Sequence, residues 1–346
     1  MKKFFKTFSL LIIVLLFVFS LVFNYNVMTA TADDSNTDDT SQYIDTRDYD
    51  SYQINDVDSL TTKELLEEVM NYPYLLDLLL YNDFNYGLRI VSEKYNGLRE
   101  LLEREDLYEQ LSFFSNYHNL SFSQEILITY LQGVHREIFY VPVTIYTKLH
   151  NPVNAEQCIS DYSSTTINIM NSFYDDIYLN ATLISSASRM YNCHSYAWYN
   201  QDTTTNNIWL PYPSSFKTDC YFPQTTWQAG DILVYVENGD DIHSAIIEST
   251  DGTLSGTIVI SKWGDYGLYR HAANHCPYNT SNVVAYRLCS HSFSVEPYNM
   301  ILHRQVCSSC SYSNFESHTL NPLTGRCAIC GDRCVIIEPN NNESNE

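Results

Sequence analysis

The N-terminal third of the chain repeats apolar residues with the period of an α-helix. Thr61 and Glu64 have the spacing of a capping box, which predicts a helix start. The apolar stripe that follows is Leu65, Leu66, Val69 and Met70. Pro73 suits the first turn of a second helix. That helix would continue through Leu75, Leu76, Leu79 and Leu80. Residues 59–135 are therefore predicted to form a small helical domain. It contains no cluster of catalytic residue types, so we expect it to pack against or position another domain.

After residue 136 the pattern changes to short β-strands. The segment 139–147 (FYVPVTIYT) is rich in β-branched and aromatic residues, and Pro142 indicates an edge strand. A helical stretch is predicted near Asn171 to Tyr191. Short apolar runs punctuated by glycine follow, at 231–236 (DILVYV), 244–248 (SAIIE), 257–262 (TIVISK) and 283–288 (VVAYRL). A helix followed by antiparallel strands is typical of the α+β class, which we predict for residues 136–290.

Both ends of the chain are predicted to lie outside these domains. Residues 1–32 combine an early cluster of lysines, a 16-residue apolar run at 8–23 and the small residues Ala30-Thr31-Ala32. This pattern predicts a cleaved secretory signal peptide. An uncleaved anchor is the alternative, although a membrane span needs about 20 residues. Residues 33–58 are predicted to be an acidic disordered linker, and residues 336–346 a polar tail. We therefore expect a secreted or cell-wall-associated protein with no stable membrane span after cleavage.

The net charge of the chain restricts the kinds of molecule that it is expected to bind. The chain has 346 residues, with 19 Lys and Arg against 41 Asp and Glu, giving a formal net charge of −22. Binding to phosphate backbones needs basic patches, so nucleic acid is not expected as a partner. Apolar residues make up 45% of the chain, which is enough to build a folded core.

The most informative segment for chemistry is YNCHSYAWY at 191–199. Asn192 is a favoured helix N-cap residue, which would place Cys193 in the first turn of a helix. At that position the helix dipole and free N–H groups stabilise a thiolate. His243 begins a strand 50 residues later and could accept the thiol proton. A Cys–His pair of this kind provides the nucleophile and the general acid/base for acyl transfer. The alternative is structural, because buried Cys residues and hydrogen-bonded His residues are common.

These motifs resemble those of the NlpC-like cysteine peptidases and the related CHAP amidases. The similar pieces are YNCHSYAWY at 191–199, GDILVY at 230–235, HSAII at 243–247, SKWGDYGLYRH at 261–271 and CPY at 276–278. The resemblance implies a compact papain-like domain, with Cys193 as nucleophile and His243 as base. It also implies hydrolysis of amide bonds in peptidoglycan peptides, with no cofactor for catalysis.

The third catalytic residue remains open between two candidates. In the family that the segment resembles, a polar residue on the strand after the histidine orients the imidazole. Here Ser261 and His271 are the candidates, and the sequence does not decide between them. His194, beside the nucleophile, is expected to be a helix or cleft-wall residue. An oxyanion hole would use the Cys193 N–H and one further donor that the sequence does not reveal.

The C-terminal part carries a metal-binding pattern. Cys307 and Cys310 are separated by 16 residues from Cys327 and Cys330, which is the spacing of a four-thiolate zinc site. His303 and His318 flank the set as further candidate ligands. Residues 291–335 are therefore predicted to be a module that resembles a zinc ribbon and holds a structural Zn²⁺. Disulfides are the alternative, because an exported protein can form them. Cys276 and Cys289 are close enough in sequence to pair with each other.

Three functions follow from these patterns. The first is a secreted cysteine peptidase or amidase acting on peptidoglycan peptides. The second is a non-catalytic surface or interaction protein on a decayed hydrolase scaffold. The third is a cysteine hydrolase that acts on protein substrates.

Overall fold

The computed structural model describes residues 47–117, 120–133, 138–175, 177–310 and 312–333. The predicted signal peptide, the polar tail and the linker up to residue 46 lie outside these residues. Within the described ranges, every helix is too short or too polar to cross a membrane.

Five α-helices lie in the described N-terminal part. They are α1 (Thr62–Met70), α2 (Phe84–Lys94), α3 (Asn96–Glu103), α4 (Leu107–Tyr117) and α5 (Phe122–Leu131). Short 3₁₀ helices span Asp50–Tyr52, Val57–Ser59 and Leu75–Leu80. The predicted capping box is confirmed: the Glu64 N–H donates to Thr61 Oγ1, and the Thr61 N–H donates to the Glu64 carboxylate. The second predicted helix is instead the 3₁₀ helix Leu75–Leu80. All six of its residues are buried, so it lacks the polar face of an amphipathic α-helix.

A three-stranded antiparallel sheet follows the helices. It contains β1 (Tyr140–Tyr146), β2 (Pro152–Cys158) and β4 (Ile208–Trp209) in the order β1-β2-β4. Pro142 therefore lies on an edge strand, as predicted. The helix predicted near Asn171 to Tyr191 is wrong: α6 (Ser164–Ser172) ends at its start, and β3 (Thr182–Ser185) lies inside it. Pairing of β3 with a strand of the main sheet overrides the local helical pattern.

The main sheet has seven strands and confirms the α+β class. Its order is β3-β9-β8-β7-β6-β10-β5, and each neighbouring pair is antiparallel. The remaining strands of this sheet are β5 (Tyr221–Gln224), β6 (Ile232–Glu237), β7 (Asp240–Ser249), β8 (Ile258–Lys262), β9 (Leu268–Ala272) and β10 (Val283–Leu288). A short helix α7 (Ser214–Asp219) precedes β5. All four apolar runs predicted as strands are strands.

The C-terminal part consists of short strands. A three-stranded sheet has the order β11-β12-β13, with β11 (Phe293–Pro297), β12 (Leu302–Cys307) and β13 (Ser313–Ser317). A two-stranded sheet pairs β14 (Leu320–Asn321) with β15 (Arg326–Cys327).

The N-terminal helices and the main sheet share one hydrophobic core. Leu66 and Leu127 from the helices belong to the same buried cluster as Ala245 and Ile247 from β7. Ile246 packs against a second cluster on the opposite face of the sheet, as expected from the alternation of side chains along a strand. By the same alternation, His243 faces the helices and Ser244 faces the second cluster. The domain boundary at residue 135 stays a prediction, but the core is continuous across it.

A buried ion pair holds the 3₁₀ helix Leu75–Leu80 within this core. Arg47 Nη1 lies 2.8 Å from the Asp77 carboxylate, and both side chains are almost completely buried. The Tyr174 hydroxyl also donates to Asp77 Oδ1, at 2.8 Å. Because burial of an unpaired charge is costly, each group depends on its partner.

We expect Asp77→Ala to lower the free energy of unfolding by about 3–5 kcal/mol, because it leaves the Arg47 charge buried without its carboxylate. The matched control is Glu93→Ala, which breaks the exposed Arg89–Glu93 pair and should cost less than about 1 kcal/mol. Urea unfolding followed by circular dichroism measures both. Equal losses in the two variants would contradict the assignment.

Candidate active site and metal-binding clusters

Cys193 begins a short helical turn that Asn192 caps. The Asn192 side-chain oxygen accepts from the Ser195 N–H at 2.9 Å, while its amide nitrogen donates to the Leu210 carbonyl at 2.7 Å. The turn continues as a single π-helical turn, Ser195–Tyr199. Cys193 therefore occupies the first turn, as predicted. The helix is only about two turns long, so its dipole is a weak source of thiolate stabilisation, and neighbouring side chains must supply the rest.

Asn82 is a neighbour of the thiol that the sequence did not reveal. Its Nδ2 lies 3.2 Å from Cys193 Sγ, although the two residues are 111 positions apart. The Trp209 indole N–H donates to the Asn82 carbonyl at 3.3 Å and fixes the backbone there. Both Asn82 and Cys193 are buried. When the sulfur is a thiolate, the amide N–H is a hydrogen-bond donor to it.

His194 is also part of the site, and not simply a wall residue. Its Nε2 lies 3.1 Å from the Asp241 carbonyl oxygen, and its Nδ1 lies 2.8 Å from Ser244 Oγ. The Ser244 oxygen also accepts from the Trp198 indole N–H. This oxygen has two lone pairs, so a protonated His194 can donate from both nitrogens. Adjacency to Cys193 was the only signal of this role in the sequence.

His243 is fully buried and is held by ring contacts. Its imidazole stacks on Tyr278 with a centroid separation of 3.8 Å and an interplanar angle of 12°. Among the described residues, neither ring nitrogen has a partner with hydrogen-bond geometry. The ring is nevertheless close enough to Cys193 for each group to shift the other's pKa. The nitrogens therefore remain available for proton transfer, which the two bonds of His194 do not allow.

The electrostatics of this cluster favour a thiolate. Burial alone would raise the pKa of Cys193, but His194 and His243 together hold it well below the ordinary value. Burial also opposes charge on His194, yet the Cys193 thiolate and Asp241 raise its pKa. Burial dominates at His243 and lowers its pKa, despite the neighbouring thiolate. These shifts favour the thiolate form of Cys193, the charged form of His194 and the neutral form of His243.

Ser261 and His271, the two candidates for the third residue, contact each other. Ser261 Oγ lies 2.7 Å from His271 Nε2, and the Trp263 indole N–H donates to the same hydroxyl. The other ring nitrogen of His271 lies 2.8 Å from the Ala272 carbonyl. Burial lowers the pKa of His271 to about 3, so it is neutral. Neither residue forms a hydrogen bond with His243 in the described part of the chain, so the choice between them stays open.

A groove lies beside the buried thiol. Its volume is about 280 Å³, and its walls include Asn82 and Tyr81 from the helical part and Tyr212 and Ile242 from the sheet part. The Tyr212 hydroxyl donates to the Asp83 carboxylate at 3.2 Å across it. Asn82 both lines the groove and contacts Cys193, so this side chain links the groove to the sulfur.

Eight of the C-terminal Cys and His residues form two clusters, where the sequence predicted one. Each cluster could hold a metal ion, because its four ligand atoms all lie within 4.8 Å of one another. Cys307 and Cys310 lie with Cys289 and His291. Cys327 and Cys330 lie with His303 and His318. A structural metal is therefore compatible with this part of the chain, but the four predicted thiolates do not meet at one point.

The cysteines among the described residues are unpaired. Cys276 and Cys289, which the sequence suggested as a pair, are both free thiols. Cys289 belongs to a metal-binding cluster, whereas Cys276 lies in the core within reach of the Ala273 carbonyl.

Comparison with models of protein families, with curated proteins and with solved structures returned no match. The function proposed for this chain therefore depends on the chemistry of its own residues.

Proposed function

We propose that this chain is a secreted cysteine peptidase or amidase with a papain-like catalytic domain, and that it hydrolyses amide bonds in peptidoglycan peptides. The observation that carries the proposal is the buried cluster in which Cys193 lies among two imidazoles and the Asn82 amide. A structural thiol in an apolar core has a raised pKa, as burial gives Cys158 a pKa of about 11. Cys193 has the opposite shift, which is typical of a catalytic nucleophile.

The proposed reaction follows the two-step course of acyl transfer. The Cys193 thiolate attacks the amide carbonyl carbon to form a tetrahedral intermediate, and His243 takes up a proton from solvent water. The C–N bond then breaks, and the leaving amine takes the proton from His243. A water molecule, deprotonated by His243, attacks the thioester, and the C–S bond breaks to release the carboxylic acid and the Cys193 thiolate. His243 then returns its proton to solvent. His194 stabilises the thiolate between turnovers, since its own hydrogen bonds hold it in place.

Asn82 is the further oxyanion donor in this proposal. Its amide lies beside the sulfur, where the carbonyl oxygen of a bound amide develops negative charge. The backbone N–H of Cys193 is the second donor. The N-terminal helical part thereby contributes to catalysis, as well as to packing.

Access to the sulfur requires movement, because Cys193 is only 1% exposed. The groove lined by Asn82 and Tyr212 is the proposed entrance. Displacement of the Asn82 side chain would open it to the thiol, and its return would bring the amide onto the substrate carbonyl.

A second candidate is a non-catalytic surface or interaction protein. The observations that favour it are the complete burial of His243 and the lack of hydrogen-bond partners for its ring nitrogens among the described residues. A cysteine hydrolase acting on proteins uses the same pair, so assays on a panel of protein and muropeptide substrates distinguish it from the first proposal.

We expect Cys193→Ala to reduce cleavage of purified muropeptides to the uncatalysed background, because Cys193 is the thiolate that interacts with His243. Cys158→Ala is the matched control, because it removes a similarly buried thiol whose pKa is raised by burial instead of lowered. Mass spectrometry of the digests measures both. A Cys193→Ala variant that keeps full activity would reject the hydrolase mechanism.

We expect Asn82→Ala to lower kcat by about 10²–10³-fold with little change in KM, because the lost donor acts on the transition state. Asn85→Ala changes an amide that lines the same groove, and it should leave kcat unchanged. Steady-state kinetics on a defined peptide amide separates the two. A kcat equal to that of the unaltered enzyme in Asn82→Ala would exclude the oxyanion role.

We expect the rate of Cys193 alkylation by iodoacetamide to stay constant near neutral pH and to fall only well below pH 8.5, the ordinary thiol pKa. A lowered pKa keeps the thiolate present at lower pH. His194→Gln removes a stabilising charge and should move the midpoint to higher pH. Cys158, with a pKa of about 11, should stay unlabelled at neutral pH. A Cys193 midpoint at or above 8.5 would favour the non-catalytic candidate.

A further inference from the structure

The C-terminal part of the chain has no hydrophobic core of its own. Among the described residues, none after Tyr286 belongs to a buried hydrophobic cluster or packs against one. Its strands are only two to six residues long. A module this small and polar needs a crosslink or a metal to fold. The two Cys/His clusters are the groups that could supply it.

The distances between ligand atoms within each cluster fit tetrahedral coordination of a metal ion. With metal–sulfur bonds of about 2.3 Å and metal–nitrogen bonds of about 2.0–2.1 Å, neighbouring ligand atoms lie about 3.5–3.8 Å apart. In the first cluster, Cys289 Sγ is 3.6 Å from Cys307 Sγ, and Cys310 Sγ is 3.4 Å from His291 Nδ1. In the second, His303 Nδ1 is 3.8 Å from Cys327 Sγ. His318 Nδ1 is 3.5 Å from Cys330 Sγ.

We propose that residues 289–330 bind two Zn²⁺ ions, one in a Cys₃His site and the other in a Cys₂His₂ site. The first site consists of Cys289, His291, Cys307 and Cys310, and the second consists of His303, His318, Cys327 and Cys330. Each site is closed by four protein ligands, so both ions are structural. The proposal does not depend on the hydrolase function.

Groups around the clusters orient the ligands. His318 Nε2 donates to the Asn299 carbonyl at 2.8 Å, which leaves the Nδ1 lone pair facing Cys330. His303 Nε2 faces the Glu316 carboxylate at 3.7 Å. The first thiol of each Cys-x-x-Cys pair accepts a backbone N–H: Ser309 N–H donates to Cys307 Sγ, and Ile329 N–H donates to Cys327 Sγ. These donors stabilise thiolates, which are the form that binds a metal.

Disulfides explain these clusters less well. The separation of 3.6 Å between Cys289 and Cys307 is far longer than an S–S bond of about 2.05 Å. Disulfides would also leave three inward-facing imidazoles without a role.

The two sites share a strand. β12 carries His303 into the second site and Cys307 into the first. Four residues of strand span about 13 Å, so the two ions would lie at opposite ends of β12. Cys289 directly follows β10, and its N–H donates to the Cys220 carbonyl. The first ion would therefore attach the module to the main sheet.

Metal content of the full chain tests the proposal. We expect two Zn²⁺ per chain by elemental analysis, and a zinc X-ray absorption spectrum that fits five sulfur and three nitrogen ligands shared by the two ions. Cys289→Ser should reduce the content to one ion, because Cys289 has no place in the alternative four-thiolate site. Cys276→Ser removes a buried thiol outside both clusters and should leave two ions.

A single ion with four sulfur ligands would overturn the proposal. A metal-free chain with disulfides among these cysteines would also overturn it. If Cys289→Ser fails to fold, the ion count and sulfur-to-nitrogen ratio of the unaltered chain still decide between one site and two. Cleavage of muropeptides is a separate readout, so failure here does not bear on the hydrolase.

Discussion

One short segment, residues 79–82, connects the helical part of the chain to the candidate nucleophile and to two residues near it. The Leu79 carbonyl accepts from the Asp265 N–H at 2.9 Å. The Leu80 carbonyl accepts from the hydroxyl of Tyr278, the residue on which His243 stacks. Asn82 then reaches the sulfur. Residues 79–80 also lie very close to the loop that contains Gly264. A Cβ at Gly264 would overlap the Leu79 carbonyl oxygen, so only glycine fits at this position. The nucleophile, the ring beneath the base and the amide donor are therefore all linked to this one segment.

The two histidines beside Cys193 have different environments, and this difference gives them different roles in the proposed mechanism. His194 is fixed at both nitrogens and can carry a charge, because each nitrogen faces an oxygen acceptor. His243 lies buried against aromatic rings, and this burial lowers its pKa and favours the neutral form. In catalytic triads a polar third residue orients the base by a hydrogen bond. Here stacking on Tyr278 constrains the ring plane, while Ser261 and His271 bond to each other. Stacking does not select a tautomer, so the substrate or a water would complete that function in the proposed mechanism.

Local patterns in the sequence predicted what depends on local structure. The capping box at Thr61 and the apolar runs at 231–236 and 283–288 are present where the sequence placed them. The first-turn position of Cys193 also follows from its neighbour Asn192. Asn82 could not be found this way, because its role depends on the docking of two segments 111 residues apart. The metal ligands also show that local sequence patterns cannot predict how distant segments come together. Each Cys-x-x-Cys spacing predicts a pair of ligands, but the path of β12 determines that the two pairs do not meet.

The burial of Cys193 also affects the reaction of its sulfur with oxidants. A thiolate reacts with peroxides and disulfides far faster than a thiol does, so a low pKa normally makes a cysteine vulnerable. Here the sulfur is 1% exposed beneath Asn82, and an oxidant reaches it only when that side chain moves. The rate of oxidation then depends both on the fraction of time that the segment is open and on the reactivity of the thiolate, so closure slows oxidation although the thiol stays ionised. A chain that keeps the segment closed in the absence of a ligand would preserve its nucleophile in an oxidising environment.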